Sequence, residues 1–72
     1  MTNTQLLREK IAESGIKYTF IASKLNISTA TLNSKIKNNS EFKASEILKI
    51  CMLIPLDDLE RNEIFFSNNV EK

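Results

Sequence analysis

The sequence predicts an all-α fold, a compact bundle of five short helices. Three observations carry that expectation. Apolar residues recur at helical spacing along the 72-residue chain, and no run alternates convincingly at period two. One glycine and one proline leave little room for hairpins. Capping residues and residues tolerant of positive φ punctuate the apolar runs at intervals that suit short helices. A chain this short forms one domain, and a core of this size rarely supplies more than about 3–5 kcal/mol. The lone cysteine, Cys51, and the lack of histidine exclude an internal disulfide framework and a Cys/His zinc site. Helix packing, or association with another chain, must support the fold. Residues 1–66 are assigned to the domain and residues 67–72 to a flexible tail.

The first helix is expected over residues 3–14. Thr2-Asn3-Thr4-Gln5 has the capping-box form, with Thr2 as cap and Gln5 reaching back. Leu7 and Ile11 share one face, and Gly15 can take the left-handed conformation that closes a helix. The second helix covers residues 18–25, with Ile21 and Leu25 inward and small Ala22 beside them. Asn26 tolerates positive φ. Ile27 points inward, and Ser28 is a good cap for a third helix over residues 29–37, with Leu32 and Ile36 inward. Asn38-Asn39-Ser40 reads as a loop. Phe42 is expected to plug the core. The fourth helix, residues 44–53, is apolar nearly all round, which implies burial on several sides; Pro55 stops it. Cys51 is read as a small apolar core residue. Asp57-Asp58-Leu59-Glu60 starts a fifth helix over residues 58–65, with acids where the helix dipole favours them.

The net charge of +1 is unevenly spread. Residues 1–43 carry seven basic and three acidic side chains, whereas residues 44–72 carry three basic and six acidic. Such asymmetry suits a polyanion on the first part of the chain and a different partner on the second; solvated surface charge is the plainer alternative. The N-terminus lacks the basic-then-apolar order of a signal peptide, and the apolar run over residues 50–56 is too short to span a bilayer. A cytoplasmic setting is expected. There is no histidine, no glycine-rich phosphate loop and no metal-ligand cluster, so neither an enzyme nor a cofactor is expected.

The second and third helices, joined at Asn26-Ile27-Ser28, have the helix-turn-helix pattern. Ala22 allows the helices to cross closely. Asn26 permits the turn. Ile21, Leu25, Ile27, Leu32 and Ile36 hold the third helix at a fixed angle. At about 100° per residue, its outward arc holds Ala30, Ser34 and Lys37, flanked by Thr31 and Asn33, with Lys35 to one side. Such a polar arc is what a helix entering a major groove must expose.

Residues 15–36, GIKYTFIASKLNISTATLNSKI, resemble the helix-turn-helix of phage Cro and repressor proteins, the xenobiotic-response-element-like family with the lambda-repressor-like fold. The resemblance covers about residues 5–66. EFKASEILKIC and the later EIFF are similar to short regulators of temperate phages from Gram-positive bacteria, including Cro-like proteins and the modulator-of-repression proteins of lactococcal phages. The resemblance implies a phage regulator of a lysis/lysogeny switch that binds double-stranded operator DNA in the host cytoplasm. As an alternative it implies an antirepressor that binds the DNA-binding domain of the phage CI-type repressor. Family members often have glutamine where Tyr18 stands, glycine where Asn26 stands, and Ser or Thr where Lys17 stands.

The expected DNA-binding residues are Lys17, Tyr18, Ser28, Thr29, Ala30, Thr31, Asn33, Ser34, Lys35, Lys37 and Lys43. Asn33 can pair with adenine and Ala30 can meet a thymine methyl. The lysines, with Tyr18 and Ser28, serve as phosphate contacts. The arc lacks arginine and glutamine. The fourth helix and residues 64–66 hold more apolar bulk than so small a core needs. Ile50, Met52, Leu53, Ile64, Phe65 and Phe66 are therefore candidates for a homodimer or heteromeric interface; the alternative is that the phenylalanines fold back on the first and fifth helices.

Overall fold

The computed structural model describes residues 2–66; the expected flexible tail lies outside them. The described residues form α1 (Thr4–Ser14), α2 (Tyr18–Leu25), α3 (Thr29–Ile36), α4 (Ala44–Leu53) and α5 (Asp58–Phe65), with no strand among them. The all-α bundle is thus as expected, and no helix among the described residues is long and apolar enough to cross a membrane.

The helix ends explain the boundaries. Asn3, not Thr2, caps α1, its Oδ1 accepting from the Leu6 N–H at 3.2 Å. Gln5 reaches along the helix to Glu9 rather than back to the cap. Thr2 is engaged elsewhere, its N–H donating to the Asn38 side chain. Gly15 ends α1 at φ 74°, with its N–H on the Ala12 carbonyl at 3.2 Å. An added Cβ there would meet nothing within 4 Å, so the left-handed conformation, not space, calls for glycine.

Asn26 and Asn38 close α2 and α3 at φ 62° and 68°. After α2, the Asn26 N–H reaches the Ser23 carbonyl at 3.1 Å and the Ile27 N–H the Ala22 carbonyl at 3.0 Å. After α3, the Asn38 N–H reaches the Lys35 carbonyl at 3.2 Å and the Asn39 N–H the Ser34 carbonyl at 2.9 Å. Both are Schellman closures around a left-handed residue. α5 opens with the expected cap: Asp57 Oδ1 accepts from the Glu60 N–H at 2.7 Å, and Glu60 Oε1 from the Asp57 N–H at 3.2 Å.

The core gathers Leu7 and Ile11 from α1, Ile21, Ala22 and Leu25 from α2, Leu32 and Ile36 from α3, Ile50 from α4, then Ile54, Ile64 and Phe65. Half-buried Phe42 meets the Phe65 ring edge-on, with centroids 5.6 Å apart and planes at 86°. It is the expected plug. Ile50, Ile64 and Phe65, expected at an interface, are instead buried in the core of the single chain. Of the two terminal phenylalanines, Phe65 folds inward and Phe66 remains half exposed.

α4 is less buried than its composition suggests. Ile50 lies in the core and Ile47, Cys51 and Leu53 are partly covered, but Leu48 and Met52 face outward, Met52 at 84% exposure. Cys51 is half-buried, not enclosed, and burial pushes its thiol pKa up, against formation of the thiolate. α5 is tied to α1 by a hydrogen bond from the Asn3 N–H to the Ile64 carbonyl, 2.6 Å, and by the ion pair of Lys10 with Glu60.

Candidate nucleic-acid interface

The turn between α2 and α3 has the geometry that its residues demand. Ala22 is 2% exposed, and α2 packs directly on α3. A larger side chain at this crossing would separate the helices or strain their packing. Asn26 supplies the left-handed step, and Ile27 tucks against the core. Ser28 then caps α3, its Oγ accepting from the Thr31 N–H at 3.0 Å and donating to Thr31 Oγ1 at 2.9 Å. Both partners lie on α3 itself, so the cap orients the first turn without help from the rest of the fold.

Buried Leu32 and Ile36 fix which side of α3 faces outward. On the other side Ala30 and Lys37 are exposed, and Thr29, Thr31, Asn33 and Ser34 are half-buried. Among the described residues the Asn33 amide has no hydrogen-bond partner, and Lys37 has neither a hydrogen bond nor an ion pair. Both keep their donors free for a ligand. Lys17 is exposed at the start of α2, with its carbonyl accepting from the Phe20 and Ile21 N–H groups. Tyr18, at the start of α2, is half-buried and packs against the core.

Lys35 departs from expectation. It is 7% exposed and does not reach the outward arc. Its Nζ lies 2.8 Å from Glu46 Oε1 and 3.3 Å from the Glu41 carbonyl. Glu46 Oε1 also accepts from the Lys43 N–H at 2.8 Å. Burial alone would push the Glu46 carboxyl up. The hydrogen bonds from Lys35 and the Lys43 N–H, with the two lysine charges, outweigh burial and hold it below its ordinary value. Lys35 therefore spends its charge locking α3 to the start of α4. The reason is rotational: Lys35 is three residues after Leu32 and adjacent to Ile36, so its stem starts on the inward side. Lys43 itself remains exposed beside this lock.

Two features escaped sequence reasoning. Asn38 is a tether as well as a loop residue. Its Oδ1 accepts from the Thr2 N–H at 2.8 Å, and its Nδ2 donates to the Thr2 carbonyl at 2.8 Å and Thr4 Oγ1 at 3.3 Å. The positive-φ rule that identifies Asn26 applies equally to Asn38, but the long-range amide bonds have no sequence signal. The second is Phe20, 48% exposed on the outer side of α2, with Lys24 Nζ 5.3 Å from its ring centroid.

A different surface lies on α4 and α5. Phe42, Ala44, Ile47, Leu48, Arg61 and Phe66 line an open groove of about 490 Å³. Outside it, Met52 on α4 and Leu59 on α5 are 84% and 78% exposed. Of the expected interface residues, Met52 and Phe66 are on the surface and Leu53 is half-buried. The protein thus carries a polar face on α3, flanked by exposed Lys17, Lys37 and Lys43, and exposed apolar side chains on α4 and α5.

No curated protein and no solved structure matches the chain. Residues 6–57 match the family described as the Cro/C1-type HTH DNA-binding domain, a span that runs from α1 to the turn before α5.

Proposed function

The chain belongs to the Cro/C1-type HTH DNA-binding family, and on that premise we propose that it is a transcription regulator of a phage lysis/lysogeny switch that reads operator DNA through α3. The observation that carries this reading is the outward arc of α3. It is polar, free of apolar bulk, and presented at an angle set by the α2 crossing, the Ser28 cap and the Lys35–Glu46 lock.

In this reading Thr29, Ala30, Thr31, Asn33 and Ser34 enter the major groove. Asn33 offers the paired donor and acceptor that adenine requires, and Ala30 a methyl for thymine. Lys17, Lys37 and Lys43 take phosphates, with Tyr18 and Ser28 at the rim. The exposed apolar side chains of Leu48, Met52, Leu59 and Phe66 pair two copies, so that two α3 helices address related half-sites. One arc with so few charged side chains binds weakly by itself, and duplication compensates.

The test is a salt titration of binding to a duplex that the protein selects from a random library. Log affinity should fall linearly with log salt. Lys37→Ala should weaken all duplexes and flatten the slope by about one unit. Asn33→Ala should leave the slope and relax sequence preference. A selected duplex bound no better than its scrambled counterpart contradicts operator reading.

A second reading is favoured by the burial of Lys35, which takes a cation away from an arc that already lacks arginine and glutamine. Here the protein is an antirepressor and binds the DNA-binding domain of a CI-type repressor. Co-purification with that repressor supports this reading, and lack of a complex at micromolar concentration removes it.

A further inference from the structure

We propose that Asn38 is a positioning residue for DNA recognition, its side-chain amide fixing the C-terminal end of α3 against the start of α1. The inference rests on the operator reading and adds to it a residue that need not touch the DNA.

Asn38 does two separable things. Its backbone, at φ 68°, closes α3. Glycine adopts that conformation without steric cost, so closure does not require an amide. The amide does something else. It bonds both the N–H and the carbonyl of Thr2, each at 2.8 Å, as a neighbouring peptide would, across 36 positions of sequence. Its Nδ2 also approaches Thr4 Oγ1 at 3.3 Å, and the Thr4 hydroxyl donates to the carbonyl of Ile36, the last residue of α3. The first residues of the chain thereby grip the end of α3 at two points.

The comparison with Asn26 isolates the amide. Asn26 makes the same left-handed closure after α2, yet it is exposed and among the described residues its side chain has no hydrogen bond. An asparagine at such a turn therefore does not need its amide to hold the backbone.

Why α3 needs the grip follows from its size. It has eight residues, about 12 Å of helix. Leu32 and Ile36 hold it by apolar contact, which is non-directional and tolerates small rotation. Hydrogen bonds are directional and do not. Ser28 orients the first turn, Lys35 ties the last turn to α4, and Asn38 ties it to α1. Base-edge hydrogen bonds have the same directional tolerance, so a small tilt of α3 costs sequence discrimination before it costs phosphate contact.

The experiment uses Asn38→Gly, which keeps the closure and deletes the amide, and Asn38→Asp, which keeps the acceptor for the Thr2 N–H and deletes both donors. Asn26→Gly is the matched control. Folding is checked by circular dichroism and thermal melting. Affinity is then measured by fluorescence anisotropy, across a salt series, for a duplex selected by the wild-type protein and for its scrambled counterpart. The selected-to-scrambled ratio is expected to fall about tenfold in both Asn38 variants. The salt slope should stay constant, and Asn26→Gly should keep the wild-type ratio. A folded Asn38 variant that keeps the ratio overturns the inference, whatever its melting temperature; if Asn38→Gly does not fold, Asn38→Asp decides. A wild-type protein without any preference for its selected duplex fails earlier and overturns the operator reading together with this inference.

Discussion

The two ends of α3 are held by different physics. At its N-terminus the side-chain hydrogen bonds are local: Asn26 turns the chain and Ser28 caps the helix with bonds to Thr31. At its C-terminus the bonds that matter cross the molecule. Lys35 reaches Glu46 on α4, and Asn38 reaches Thr2 ahead of α1. A cap saturates the backbone of one turn and can be written into any sequence. A tether has to find its partner after the fold has formed. The helix that faces DNA in our reading therefore receives its starting angle from its own sequence and its final placement from the tertiary structure.

The contrast can be broken most forcefully at Lys35. Lys35→Met leaves the Glu46 carboxylate buried without its cation and should cost about 3 kcal/mol in denaturant unfolding. The double variant Lys35→Met/Glu46→Leu should recover much of that loss, because it removes the stranded charge. Failure to recover would mean that Lys35 contributes packing rather than charge.

The same pair gives the fold an acid dependence of known sign. The folded Glu46 pKa lies below its unfolded value. Its stabilising contribution is complete above the unfolded carboxylate value, about 4.3, and is lost as pH falls through the lower folded value. Glu46→Gln should remove that part of the acid slope in a pH series of unfolding curves.

The local end should yield smaller effects. Asn26→Val forces a β-branched residue into the left-handed region and should cost about 1–2 kcal/mol, whereas Asn26→Gly should fall within about 0.5 kcal/mol of wild type. Ser28→Ala removes the cap and should cost about 1 kcal/mol. Equal losses at Ser28 and Lys35 would erase the distinction between the two ends.

The same division decides what was legible in the sequence. Helix periodicity and local caps are short-range signals, so all five helices could be read with boundaries within a residue or so. α1 shows the limit. Thr2 has the residue type of a cap, but its backbone is claimed by Asn38, and Asn3 takes the role. Lys35 looked like a surface cation because nothing nearby in sequence announces Glu46, eleven residues on. Ile50, Ile64 and Phe65 were visible as surplus apolar bulk, but the core's need for them depends on how α4 and α5 close over α1–α3. The outward arc from Ala30 to Lys37 was readable because a helix shows its two sides in its sequence. The exposed apolar side chains on α4 and α5 were readable in kind, through Met52 and Phe66, but the exposure of Leu48 and Leu59 was not.

The claim that the α3 face is the DNA-binding surface can be tested directly by mapping amide chemical-shift changes as a selected duplex is titrated into the intact protein. The largest changes should fall on residues 17–18, 28–37 and 43, with Leu48, Met52, Leu59 and Phe66 unaffected by saturating DNA. Changes confined to α4 and α5, with α3 unmoved at saturation, would contradict it.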